Sequence, residues 1–193
     1  MQLNGSRYPL AHHSSACVGP VAMGFIPVLS KTTFKKPDEP DFDLEFLTSV
    51  GRSGDKPVHL PALNLTLQPL KFMALSLEDP MRATLVARNG PLVANVPQRH
   101  QFALQKLIVH GERPLAQRLK ANKDLAQAGA LIDYLLAHDG DQLIASWEDV
   151  VGRGPDWTRR LLAGLQALVA ALPALDFTER LRLALAARNS QSD

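Results

Sequence analysis

Two kinds of apolar spacing divide the chain. Before Pro97 the apolar residues come in short runs broken by Pro and Gly: Asp43-Leu44-Glu45-Phe46-Leu47-Thr48 alternates polar and apolar, the period of a strand with one covered face. Ala83–Ala87 and Leu92–Val96 flank Arg88-Asn89-Gly90-Pro91, a turn signal that predicts a hairpin. After Pro97 the spacing changes to three and four, through Phe102, Leu104, Leu107 and Ile108 and then Leu125, Leu131, Ile132, Leu135 and Leu136. This predicts five helices over 97–111, 115–138, 141–152, 155–171 and 176–188, the second with a break near Ala121. Pro97 suits a first turn, Gly111 and Pro114 a stop, and Asp139-Gly140-Asp141 a break followed by a cap. Asp176 with Glu179 three residues later predicts a capping box without the usual hydroxyl. The fold class is therefore α+β, the remnant of a small mixed or antiparallel sheet followed by a C-terminal helical bundle. Three parts follow: a loosely ordered segment over 1–40, a sheet region over 41–96 and a helical domain over 97–193.

Composition narrows this picture without changing it. With 46% hydrophobic and 21% charged residues in 193, the chain is of ordinary globular make-up, and disordered, collagen-like and disulfide-scaffold classes are excluded. Its net charge of +2 is split evenly, with nine basic and eight acidic residues before Pro97 and twelve and eleven after it. The surrounding field is thus weak, and any nucleic-acid contact has to be local. Cys17 is the one cysteine, so an internal disulfide and a cysteine-built zinc site are excluded. No run nears the roughly 20 apolar residues of a membrane span, and the first twenty residues lack the apolar core of a signal peptide, so a cytoplasmic protein without membrane contact is expected.

Three groups of residues are candidates for chemistry. Asp43 and Glu45 lie two apart and share a face if Phe42–Leu47 is a strand; paired carboxylates of this kind can hold a divalent metal, while the plainer alternative is a solvated face opposite Phe42, Leu44 and Phe46. Lys106 and the Lys123-Asp124 pair are set among apolar helical neighbours. There a lysine can meet a phosphate, with Asp124 orienting it or forming a salt bridge to the first helix, or can snorkel at the rim of the bundle. Arg113, Arg118 and Lys120 form the densest basic cluster and are the best candidates for a nucleic-acid-facing surface. Trp147 and Trp157 read as bundle core, and the six histidines show no ligand spacing with an acid partner.

The order Phe42-Asp-Leu-Glu-Phe-Leu-Thr-Ser49, Gln68-Pro-Leu-Lys-Phe72, Phe102-Ala-Leu-Gln-Lys-Leu-Ile-Val109, Lys123-Asp-Leu-Ala-Gln-Ala128 and Arg153-Gly-Pro-Asp-Trp157 resembles a bacterial family of uncharacterised nucleotidyltransferase-fold proteins in the DNA polymerase β-like superfamily. The resemblance covers Phe25 to Leu168 and is most specific at Lys106 and Lys123-Asp124. It implies transfer of a nucleoside monophosphate from a nucleoside triphosphate to an acceptor, with Mg2+ as cofactor. Glu45 matches the third metal-site carboxylate, where the family has Asp, with Asp43 beside it as a further ligand. The family's Gly-Ser turn and separate Asp-x-Asp strand have no match. Asp41-Phe42-Asp43 has the spelling but lies directly against Glu45, with no room for the intervening strands. The expectation is therefore a truncated copy, inactive alone, whose exposed sheet edge favours self-association. The alternative is a non-catalytic helical module that binds RNA or a protein partner.

Overall fold

The structure is a computed structural model that describes residues 20–28, 32–51, 54–88, 90–110 and 118–190. The chain is α+β, as expected: among the described residues there are eight short strands in sheets of two or three, and six α-helices, five of which follow the last strand. It divides into two compact units. Residues up to Leu47 with Asp55–Pro69 form the first, and Thr48–Gly54 with Leu70 onward form the second.

In the first unit β1 (Ile26–Pro27), β2 (Thr33–Lys36) and β3 (Glu39–Glu45) make an antiparallel sheet in that order. Phe34 faces Leu44, Lys35 faces Asp43 and Thr33 faces Glu45, with a bulge between Lys35 and Lys36. Strand alternation sends Phe34 inward, where it is 3% exposed and meets Phe46 edge-on at 5.6 Å. Phe42 packs on Phe25 at 5.9 Å. This sheet runs through residue 40, where the sequence pattern places a boundary, because β2 and β3 complete each other across it. Residues 1–19 and 29–31 of the segment expected to be loose lie outside the described residues. A second hairpin joins β5 (Val58–Leu60) to β6 (Leu65–Leu70) through a 3-10 turn that ends on Asn64 in the left-handed region at φ 49°. Strand β4 (Leu47–Ser49) completes the list in this part of the chain.

The second unit opens with α1 (Ala74–Leu77) and the expected hairpin, β7 (Met81–Ala87) against β8 (Gly90–Val96). The tight turn is made possible by Gly90 at φ 116°. Then come α2 (Arg99–His110), α3 (Arg118–His138), α4 (Gly140–Gly152), α5 (Pro155–Ala171) and α6 (Phe177–Asn189). Helix α2 is central: Ala103, Leu104, Leu107 and Ile108 are fully buried, one stripe of a helix whose neighbours lie on several sides. Against it α5 comes so close that a β-carbon on Gly164 would sit 2.2 Å from the Leu107 carbonyl oxygen. Leu161, Leu168 and Phe177 complete the same core without exposure.

Three details differ from the pattern-based expectation. Helix α3 runs unbroken through Ala121, which is 8% exposed, because burial there holds the turn that the sequence suggested would break. Its expected start, and the stop at Gly111 and Pro114, lie outside the described residues. Asp176 does precede α6, but at φ 42° its side chain makes no capping bond, since capping needs an extended backbone at that position. Glu179 pairs instead with Arg182 at 2.7 Å. Asp139 likewise sits before α4 without capping it, and its carboxylate accepts from Arg99 Nη2 at 3.3 Å.

Candidate functional site

Strand β3 places Asp41, Asp43 and Glu45 on one face by the alternation of an extended chain, and all three are exposed. Directly across from Asp43 stands Lys35, and the two pair at 3.4 Å with half-exposed side chains. Across from Glu45 stands Thr33. Successive same-face side chains on one strand are spaced by about 6.6 Å, so these carboxylates form a row. A pair of magnesium ions needs oxygen ligands that converge from more than one side. Among the described residues no group of three or more His, Cys, Asp or Glu side chains is placed to hold a metal. The donor set present does not fit the two-metal arrangement that the resemblance implies.

The helical candidates are arranged differently. Lys106 on α2 and Asp124 on α3 meet: Lys106 Nζ donates to Asp124 Oδ1 at 2.9 Å, with Asp124 side chain 3% exposed and Lys106 19%. The ammonium also lies 4.8 Å from the centre of the Phe102 ring. The pair thus ties the two helices together, and the charge that was a candidate for phosphate is already neutralised. Lys123, one residue before Asp124, is exposed, because a neighbouring position on a helix turns about 100° away from the core. Of the basic cluster, Arg113 lies outside the described residues. Arg118 and Lys120 both fall in α3, and Lys120 is exposed.

Two features were not singled out by the sequence. At the start of α5, Lys71, Phe72, Arg153, Pro155 and Trp157 line a cavity of about 450 Å³ together with Ser49 and Val50. Two stretches quoted for the resemblance, some eighty positions apart, therefore converge within the second unit. The Phe72 ring stands edge-on to Trp157 at 4.7 Å, and Arg153 lies 5.1 Å from the same indole. Arg153 also grips Glu78 and Asp149, and those bonds raise its already high pKa. A second, shallower hollow of about 370 Å³ contains His100 and Ser146, hydrogen-bonded at 2.6 Å. Burial, helped by Arg99, lowers the His100 pKa below its ordinary value of 6.5, against the opposing pull of Asp79 and Asp139.

A nucleotidyltransferase family model matches residues 21–152, which takes in the acidic strand, the β7–β8 hairpin and helices α2 to α4. The chain belongs to this nucleotidyltransferase family. No curated protein and no solved structure matches it. Among the described residues no single helix is long and apolar enough to cross a membrane.

Proposed function

We propose that the chain takes part in transfer of a nucleoside monophosphate from a nucleoside triphosphate to an acceptor, with Glu45 as its metal-facing carboxylate, and that it does not complete this reaction alone. The family match supports the reaction class and favours it over a purely binding module. The observation that carries the second half of the reading is the row of acids on β3. Asp43 is engaged by Lys35, and among the described residues no three or more metal-binding side chains come together beside this row. Two-metal phosphoryl transfer works by holding the attacking and leaving oxygens between two ions, and a one-sided row cannot clamp them. This chain's part in that reaction is to offer Glu45 from the exposed face of β3.

Incubating the purified chain with magnesium and each labelled nucleoside triphosphate tests this directly. No label should pass to RNA, protein or small acceptors. Transfer by the chain alone that disappears in Glu45→Gln would overturn the proposed incompleteness and confirm the carboxylate. Transfer that survives Glu45→Gln would remove Glu45 from the reaction.

A further inference from the structure

The cavity at the start of α5 combines an apolar aromatic wall, a cation and two further polar side chains. Its walls are apolar and aromatic, from Val50, Phe72, Ala74, Pro155 and Trp157. At its rim stands Lys71, which has no hydrogen-bond or ion-pair partner among the described residues. Ser49 and Asp156 add a hydroxyl and a carboxylate. Its volume of about 450 Å³ falls in the range of small-molecule sites, which are typically apolar with a few convergent polar groups.

The remaining cation, Arg153, is not available to a ligand. Its guanidinium is shared between Glu78 and Asp149 and lies over Trp157, so it fixes the indole and ties the end of α1 to α4. Arg153 is thus a positioning residue. Phe72, held in the left-handed region at φ 62°, sets its ring edge-on to the same indole. The wall is preorganised by these contacts, and among the described residues Lys71 is the lining charge without a partner beside it.

We propose that this cavity binds a nucleotide, its base against the Phe72 and Trp157 wall and its phosphate on Lys71 Nζ. A lysine ammonium meets phosphate as a compact charge, and an aromatic wall accepts the flat face or edge of a base without sequence preference. The choice of a nucleotide over other phosphate esters rests on the proposed transfer reaction; the cavity and its free lysine do not.

Calorimetric titration of the full chain with AMP, ATP, adenosine and pyrophosphate, all without magnesium, provides the test, with tryptophan fluorescence as a second reading of the wall. AMP and ATP should bind, adenosine and pyrophosphate each more weakly. Lys71→Ala should weaken AMP by about tenfold or more, as expected for loss of one charge-assisted phosphate contact. Lys71→Arg should restore part of the loss, and Lys56→Ala, on an exposed site in the other unit, should leave affinity unchanged. Absence of binding at millimolar AMP, or equal losses in Lys71→Ala and Lys56→Ala, would overturn the site. Pyrophosphate binding as tightly as ATP would overturn the nucleotide assignment. Because these titrations need no turnover, AMP binding without label transfer by any assembly counts against the proposed function alone, and transfer without AMP binding counts against this site alone.

Discussion

The two units bury their apolar residues to very different depths. In the second, Leu75, Leu104, Leu107, Ile132, Leu143 and Phe177 belong to one continuous cluster with no exposed surface. In the first, Phe34 and Leu65 are the buried apolar residues among those described, and Phe42 is 46% exposed on the strand that carries the acids. Burial of apolar area is the main favourable term in folding, so stability is concentrated in the helices while the acidic strand belongs to a thin sheet. β3 is an edge strand of its sheet, and the charged side chains of Asp41, Asp43 and Glu45 discourage pairing of that edge with other chains.

The sharpest way to break the helical side of this comparison is Gly164→Ala. The added carbon would meet the Leu107 carbonyl at 2.2 Å and its neighbouring backbone atoms at 2.6 and 2.8 Å, and backbone on a central helix cannot swing aside. Helices α2 and α5 would have to separate, at a cost of about 3 kcal/mol or more. Urea unfolding followed by circular dichroism should show it. Gly129→Ala is the control, since its new carbon meets Leu172 and Leu168 side-chain ends at 2.8 and 3.1 Å, which can rotate. A smaller loss, about 1 kcal/mol, is expected there. Equal effects at the two glycines would mean that the α2–α5 contact is not as close as described.

How much of this was legible in the sequence follows from the kind of signal each feature leaves. Helix positions were legible because periodic burial is written into the residues themselves: α5 spans Pro155–Ala171, as its spacing predicts. The hairpin was legible from its turn residues. Pairing of β2 with β3 was not, because Lys35 and Lys36 make β2 look like a solvated loop until Phe34 finds Leu44 opposite. Gly164 carries no local mark of its contact, since Leu107 is 57 residues away in sequence. The candidate chemistry was legible in residue type and only as alternatives in partnership: Asp124 reads either as orienting a phosphate-binding lysine or as a salt bridge to the first helix, and burial selects the salt bridge with Lys106. Lys71 gave no signal because a lone lysine after a short strand looks like any surface charge, and only the folded chain brings Trp157 beside it.

Two ion pairs measure the same contrast with charge in place of volume. Lys106 and Asp124 are mostly desolvated, so Asp124→Ala leaves an ammonium with little water around it, and a loss of about 2 kcal/mol is expected. Lys35 and Asp43 lie on the surface of the first unit, 54% and 44% exposed, and Lys35→Ala should cost about 0.5 kcal/mol or less. Salt should separate the pairs further, because exposed charges are screened and buried ones largely are not. Chemical denaturation at low and high salt checks both. A Lys35→Ala loss as large as that of Asp124→Ala would show that the sheet is held by its charges after all.

The smallest expected effect is a dependence on pH that belongs to the helical unit. Burial lowers the His100 pKa in the folded chain, so between that lowered value and the ordinary 6.5 the unfolded chain binds more protons than the folded one. Stability is therefore fully present above about pH 6.5 and declines as the pH falls below it. Protonation also changes the bond to Ser146, since a charged ring can only donate where a neutral ring nitrogen can accept. Thermal unfolding between pH 7.5 and 5.5 should show a modest fall in Tm that is reduced in His100→Gln, whose amide can still reach Ser146 without titrating. If the fall is unchanged in that variant, the acid sensitivity lies elsewhere; Glu179, whose pKa is lowered by Arg182, gives a slope of the same sign at lower pH, as protonation below its ordinary 4.5 removes that pair.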